Sequence, residues 1–190
     1  MKELQIPLSG ETINSLDAGD LVYLNGPVYT ARDAAHMKLA ELINSGKTLP
    51  FDFTGQAVFY AGPAPAKPGK PIGSVGPTTA GRMDFYSPAL ITRGLKIMIG
   101  KGLRSEAVTE AIIKHKGIYL AAVGGIAALM AKCVKSSKII AFEELGTEAV
   151  RELIVEKLPL VVAIDCRGKN IYESGRLKWA VGSRENELDF

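Results

Sequence analysis

Cysteine and histidine are both scarce in this 190-residue chain: two of each, Cys133, Cys166, His36 and His115. Two thiols cannot frame a disulfide-stapled fold, and alone they do not make the usual ligand set of an iron–sulfur cluster. Aromatic residues are only 7% of the chain, too few for a base-stacking platform. The net charge of +3, with no Lys/Arg run, argues against a nucleic-acid partner. Long apolar runs are missing too. The longest, Gly117 to Ala131, is shorter than a membrane span and is broken at Gly124-Gly125, so it reads as strand–turn–helix. Met1–Ile6 shows neither the apolar stretch nor the small-residue cleavage site of an export signal, which predicts a cytoplasmic chain with no membrane partner.

What is present suits a globular fold: 47% hydrophobic and 23% charged residues, enough for one core without staples. The pattern predicts strands over Lys2–Ile6 (an edge), Asp20–Leu24, Ala57–Ala61, Lys96–Gly100, Ile118–Val123, Lys138–Phe142, Glu152–Glu156 and Leu160–Asp165. Helices are expected from Ala31 to Ser45, with Ala35, Leu39, Leu42 and Ile43 on one face, from Met83 to Arg93, after Ser105, and from Ile126 to Val134. Gly62–Pro71 carries four prolines, which exclude helix and central strand and leave a loop that could wall a binding site. The fold class is mixed α/β.

Three segments share a reading of strand, glycine turn and helix start: Gly26-Pro-Val-Tyr-Thr-Ala-Arg32, Gly76-Pro-Thr-Thr-Ala-Gly-Arg82 and Gly100-Lys-Gly-Leu-Arg104. Helix starts carry unpaired N–H groups, and Arg32, Arg82, Lys101 and Arg104 would add cations suited to carboxylate or phosphate. If the three converge, they fit a small ligand with two negative groups. Thr78 and Thr79 would ordinarily cap the next helix; alternatively one hydroxyl touches substrate or moves a proton, with help from a base or cation. His36, with polar neighbours Asp33 and Lys38, reads as a surface or supporting histidine, and His115 as a helix C-terminal one. Cys133 and Cys166 read as idle thiols, and Asp165 has no identifiable partner.

These segments, with Tyr60-Ala-Gly-Pro-Ala-Pro65 and the extended forms Gly26–His36 and Gly73–Arg82, occur in order. Together they closely resemble the β subunit, or C-terminal domain, of the class I iron–sulfur fumarases and L(+)-tartrate dehydratases, over residues 5 to 175 or so. The resemblance implies a swivelling β/β/α domain, a mixed sheet flanked by helices, over residues 1–182, with 183–190 a polar tail. It implies hydro-lyase chemistry on a C4-dicarboxylate, shared with a separate α subunit in a hetero-oligomer. That partner, not this chain, would hold a four-iron–four-sulfur cluster whose open iron acts on the leaving hydroxyl, so this chain alone would be inactive. Thr78 and Lys101 are the implied catalytic residues, with Thr78 at the position of the proton-transferring base. Arg32, Thr79, Arg82 and Arg104 are the implied substrate-binding residues, Arg104 with structural support as its other reading. Fumarate and L-malate are the first expectation for substrate, tartrate and oxaloacetate the second, and a non-catalytic dicarboxylate-binding or assembly module the third.

Overall fold

The computed structural model describes residues 1–179, with side chains to residue 176; the expected tail, 183–190, lies outside the described residues. Seven strands form one sheet: β1 (Lys2–Gln5), β2 (Leu21–Thr30), β3 (Ala57–Phe59), β4 (Ile97–Gly100), β5 (Ile118–Ala121), β6 (Val134–Ala141) and β7 (Val150–Ile164). Their order is β1-β2-β3-β4-β5-β7-β6, so β1 is an edge, as expected. Strands β1 to β5 run parallel. β7 runs antiparallel to β5 and β6, and also to β2, which closes the sheet on itself.

Of the parallel strands, β3, β4 and β5 are buried on both faces, and period-2 alternation assigns their side chains to one of two cores. Ala57, Phe59, Ile97, Ile99, Ile118 and Leu120 point inside the closed sheet, where they meet Leu153, Val155, Leu160 and Val162 of β7. Val58, Met98 and Tyr119 point outward, onto Ala35 and Leu39 of α2 (Asp33–Asn44), Leu90 and Ile91 of α3 (Ser87–Thr92), and Val108 and Ile112 of α4 (Glu106–His115). Sheet against sheet on one side and helices on the other give the expected mixed α/β layering. The other α-helices among the described residues are α1 (Gly10–Asn14), α5 (Ala127–Lys132) and α6 (Ile171–Trp179). Both α1 and α6 escape the sequence pattern, and the third helix is shorter than the expected Met83–Arg93.

Three strand readings are corrected. β6 begins at Val134, the expected end of the preceding helix, rather than at Lys138. β2 does not stop at Asn25-Gly26-Pro27 but continues to Thr30, so the first of the three expected glycine turns is not a strand end. Gly26 adopts φ +106, and a Cβ there would sit 2.8 Å from Gln5 Nε2 and 3.0 Å from the Ile6 carbonyl. Only glycine fits this point, where β2 changes neighbour from β1 to β3. Likewise Glu152–Glu156 and Leu160–Asp165 are one strand, β7. Between the pairs Leu24/Leu158 and Gly26/Val155, β2 has one residue, Asn25, where β7 has two. That bulge absorbs Lys157, with φ 51, whose N–H donates to Asn25 Oδ1 at 2.8 Å.

Candidate functional site

Parallel strands bring their carboxyl ends to one edge, which is where ligands bind in open α/β sheets. Here the ends of β2, β3 and β4 lead into Ala31-Arg32, Tyr60-Ala61-Gly62 and Lys101-Gly102. β3 and β4 part beyond the Tyr60 N–H to Ile99 carbonyl bond, 2.8 Å, and the segment Thr78-Thr79 enters the gap. Thr78 N–H donates to the Tyr60 carbonyl at 2.7 Å, Lys101 N–H to the Thr78 carbonyl at 3.2 Å, and Ala80 N–H to the Lys101 carbonyl at 2.8 Å. Thr79 and Lys101 are thereby paired as a parallel bridge. Gly100 is required beside them, since a Cβ would lie 2.9 Å from the Tyr60 ring and 3.0 Å from Ala80 Cβ.

Thr78 is half-buried and Thr79 exposed. Thr79 occupies the N-cap of the 3-10 helix Ala80–Met83, yet its side chain makes no capping bond. Capping therefore does not explain that hydroxyl. The Lys101 side chain is exposed, with no ion-pair partner among the described residues.

Arg82, in the same 3-10 helix, reaches Asp33 at the start of α2 through both Nε (2.9 Å) and Nη2 (2.7 Å). Arg32 donates through Nε to the same carboxylate at 3.3 Å and lies 3.2 Å from Glu148 Oε1. Glu148 Oε2 accepts from Ala34 N–H at 2.8 Å, so its carboxylate also serves the α2 N-terminus. Gly62 gives Arg32 room: a Cβ there would be 3.1 Å from both its Cδ and Nη1. Five of the six candidates thus gather in two contact sets at this edge, Arg32 and Arg82 about Asp33, and Thr78, Thr79 and Lys101 through backbone hydrogen bonds.

Arg104 is placed differently. Its side chain has no exposed surface. Nε donates to Asp84 Oδ1 at 2.7 Å, Nη2 to Ser87 Oγ at 2.9 Å and to Tyr60 Oη at 3.3 Å, and the guanidinium lies 5.2 and 4.9 Å from the Tyr60 and Tyr119 rings. Burial works against its charge, but those phenols and the Asp84 carboxylate hold its pKa above the ordinary arginine value. Tyr119 Oη also donates to the Gly102 carbonyl at 3.0 Å. Arg104 braces the Gly100–Arg104 connection from below, which matches the structural reading of that residue.

His36 is buried, which removes its surface reading and leaves the supporting one, with Nδ1 3.1 Å from the Arg32 carbonyl and Nε2 unpartnered among the described residues. Asp165 is buried and does have partners: the N–H groups of Arg167, Lys169 and Ala18 and the Arg167 guanidinium. Burial pushes its pKa up, and those donors more than offset this, leaving it below the ordinary value. Sequence reasoning also passed over Asp33 and Glu148, the two carboxylates that hold the arginines; Asp33 follows Arg32 directly, but Glu148 is distant in sequence and gives no local signal.

Large apolar side chains rim this edge. Phe85, three residues beyond Arg82, is 90% exposed, Val123 after β5 is 60%, and Leu103 is 52%. Beside it the proline-rich loop forms one wall of an open groove of about 750 Å³, with Lys67, Lys70 and Lys132 on its rim; none of the six candidates lines it.

The chain's own donors do not fit an iron–sulfur cluster. Cys166 is buried with its Sγ 3.4 Å from Asn14 Oδ1, Cys133 is half-buried in the α5–β6 connection, and no three His, Cys, Asp or Glu side chains among the described residues form a metal-sized group. Among those residues, no helix is long and apolar enough to cross a membrane.

The sequence model of the family described as the fumarase C-terminus matches residues 2–175. The chain belongs to that family. It is 41% identical over 175 residues to the anaerobic class I fumarate hydratase of Escherichia coli K12, covering 91% of this chain and 31% of that protein. With fumarate hydratase 2 of Leishmania major it shares 42% identity over 164 residues, 85% of this chain and 29% of the relative. The chain therefore spans about a third of the length of these fumarate hydratases. A Methanocaldococcus jannaschii protein, named provisionally as an L(+)-tartrate dehydratase subunit beta, is 40% identical over 187 residues, 95% of both chains.

Proposed function

We propose that the chain is the β subunit of a two-subunit hydro-lyase that interconverts fumarate and L-malate by addition and elimination of water. The observation that carries this reading is the edge itself: Arg32, Arg82 and Lys101 stand with Thr78 and Thr79 at the carboxyl ends of parallel strands, open on one side. Cations of this kind hold the two carboxylates of a C4-dicarboxylate and stabilise the negative charge that builds as the C3–H bond breaks. Thr78 is the candidate for taking the C3 proton as the C2 hydroxyl departs. It can do so only as its alkoxide, which calls for a neighbouring cation in a site closed to water, and Lys101 is joined to it by a backbone hydrogen bond. Arg104 supports from below and does not touch substrate.

The reading includes a cytoplasmic α subunit that covers the open side and carries the four-iron–four-sulfur cluster, with the β chain inactive alone. A catalytic domain of residues 1–182 belongs to the same proposal. L(+)-tartrate dehydration is the second reading, favoured by the Methanocaldococcus jannaschii relative of matching length.

The test is anaerobic purification of the tagged chain from its host, followed by assays for a partner, iron, and turnover of fumarate, malate and tartrate. Lys101→Ala in the assembled complex is expected to lower kcat by roughly 10²-fold or more. Loss of affinity with normal turnover would instead favour a dicarboxylate-binding module, and unchanged kinetics would remove Lys101 from the site.

A further inference from the structure

The two arginines of the edge are not free to point anywhere, and the way they are held is specific. Among the described residues the Arg32 side chain donates one hydrogen bond, from Nε to Asp33, and the same Nε lies 3.2 Å from Glu148. Its terminal Nη pair, the fork that grips a carboxylate end-on, donates no hydrogen bond among the described residues. Arg82 is gripped side-on through Nε and Nη2, which leaves Nη1. One carboxylate, Asp33, is common to both, and its place as the first residue of α2 fixes it to a rigid element. Two guanidiniums brought close together repel, and a carboxylate shared between them offsets that repulsion while setting their relative orientation.

Resting on the proposed dicarboxylate chemistry, we infer that Asp33 is the positioning residue of the anion site. It aligns Arg32 and Arg82 so that their unused donors face one ligand, and Glu148 does the same for Arg32 alone. The opposite role, a competitor that occupies the arginines until substrate displaces it, predicts the opposite sign for its removal.

Two measurements separate these roles. In the full chain without its partner, proton exchange at the arginine Nε–H groups is followed by NMR. Asp33→Asn is expected to speed exchange about tenfold or more at both Arg32 and Arg82, and Glu148→Gln at Arg32 only. Unchanged exchange at Arg82 in Asp33→Asn would overturn the inference. In the assembled complex, Asp33→Asn should lower kcat/KM for the dicarboxylate about tenfold or more, mainly through KM, with part of the loss recovered in Asp33→Glu. A KM that is unchanged or lower overturns the positioning role, the lower value identifying a competitor. Should the wild-type complex turn over no dicarboxylate, the proposed function fails, and the exchange measurement alone decides the role of Asp33.

Discussion

His36 sits under the site with half of its hydrogen-bonding capacity unused. Helical geometry puts it on the face of Ala35 and Leu39, although Asp33 and Lys38 flank it in sequence, and local polarity was the wrong guide. Burial is the main influence on its pKa, pulling it down to about 4; the Arg32 carbonyl and Asp33 oppose this, and Arg104 adds to it. The imidazole is therefore neutral in the folded protein at pH 7, and Nδ1 is the natural site of the proton, donated to the Arg32 carbonyl. The unfolded chain binds a proton near pH 6.5 that the folded chain does not take up until about pH 4. Stability should accordingly fall as pH drops through that window, by about 3 kcal/mol from this residue. Urea denaturation at a series of pH values measures the slope, and His36→Asn, which can keep the donor but not the titration, should flatten it. Equal slopes in the two proteins would show that His36 does not set the acid limit.

The short connection from β4 to α4 carries both Lys101 and Arg104, and it turns the two side chains in opposite directions. Lys101 faces outward between Gly100 and Gly102, whereas Arg104 turns inward to Asp84, Ser87 and the two tyrosine rings. Breaking a buried pair by removing one partner costs about 3–5 kcal/mol, because the other charge is stranded. Arg104→Leu should thus destabilise the isolated chain on that scale, while Arg82→Ala, an exposed pair, should change it by no more than about 1 kcal/mol. Chemical denaturation decides this; a small effect of Arg104→Leu would return Arg104 to the pool of substrate-facing cations. From sequence the two residues look alike, since a basic residue one turn from another carries no mark of which way it faces. The same holds for strand limits. Asn25-Gly26-Pro27 reads as a turn and Lys157–Pro159 as a break, and only the pairing of β2 with β7 shows that Asn25 faces Glu156 and Lys157 as a bulge within two continuous strands. Where alternation or helical period alone decided an element, as in β3, β4, β5, α2 and α4, the sequence reading and the structure agree closely.

Convergence of the site is a property of the whole molecule. Nothing local to Arg32, Thr78 or Lys101 says that they meet; the parallel run of β2, β3 and β4 and the insertion of Thr78-Thr79 between strand ends bring them to one edge. The same edge is flanked by Phe85, Val123 and Leu103, a set of large apolar side chains held in water beside a charged site. A phenylalanine 90% exposed is a poor use of apolar surface in a monomer, and such residues anchor partner contacts when buried. Covering this face would also enclose the cations and exclude water, which the proposed proton transfer needs. Phe85→Asp places a charge in that contact without touching the core, so its effect on the chain's own stability should stay within about 0.5 kcal/mol. Its effect on assembly should be large: co-expression with the proposed α subunit and size-exclusion chromatography are expected to show association weakened by roughly 10²-fold or more. Normal assembly of this variant would move the docking face elsewhere, with the groove rimmed by Lys67, Lys70 and Lys132 as the next surface to probe.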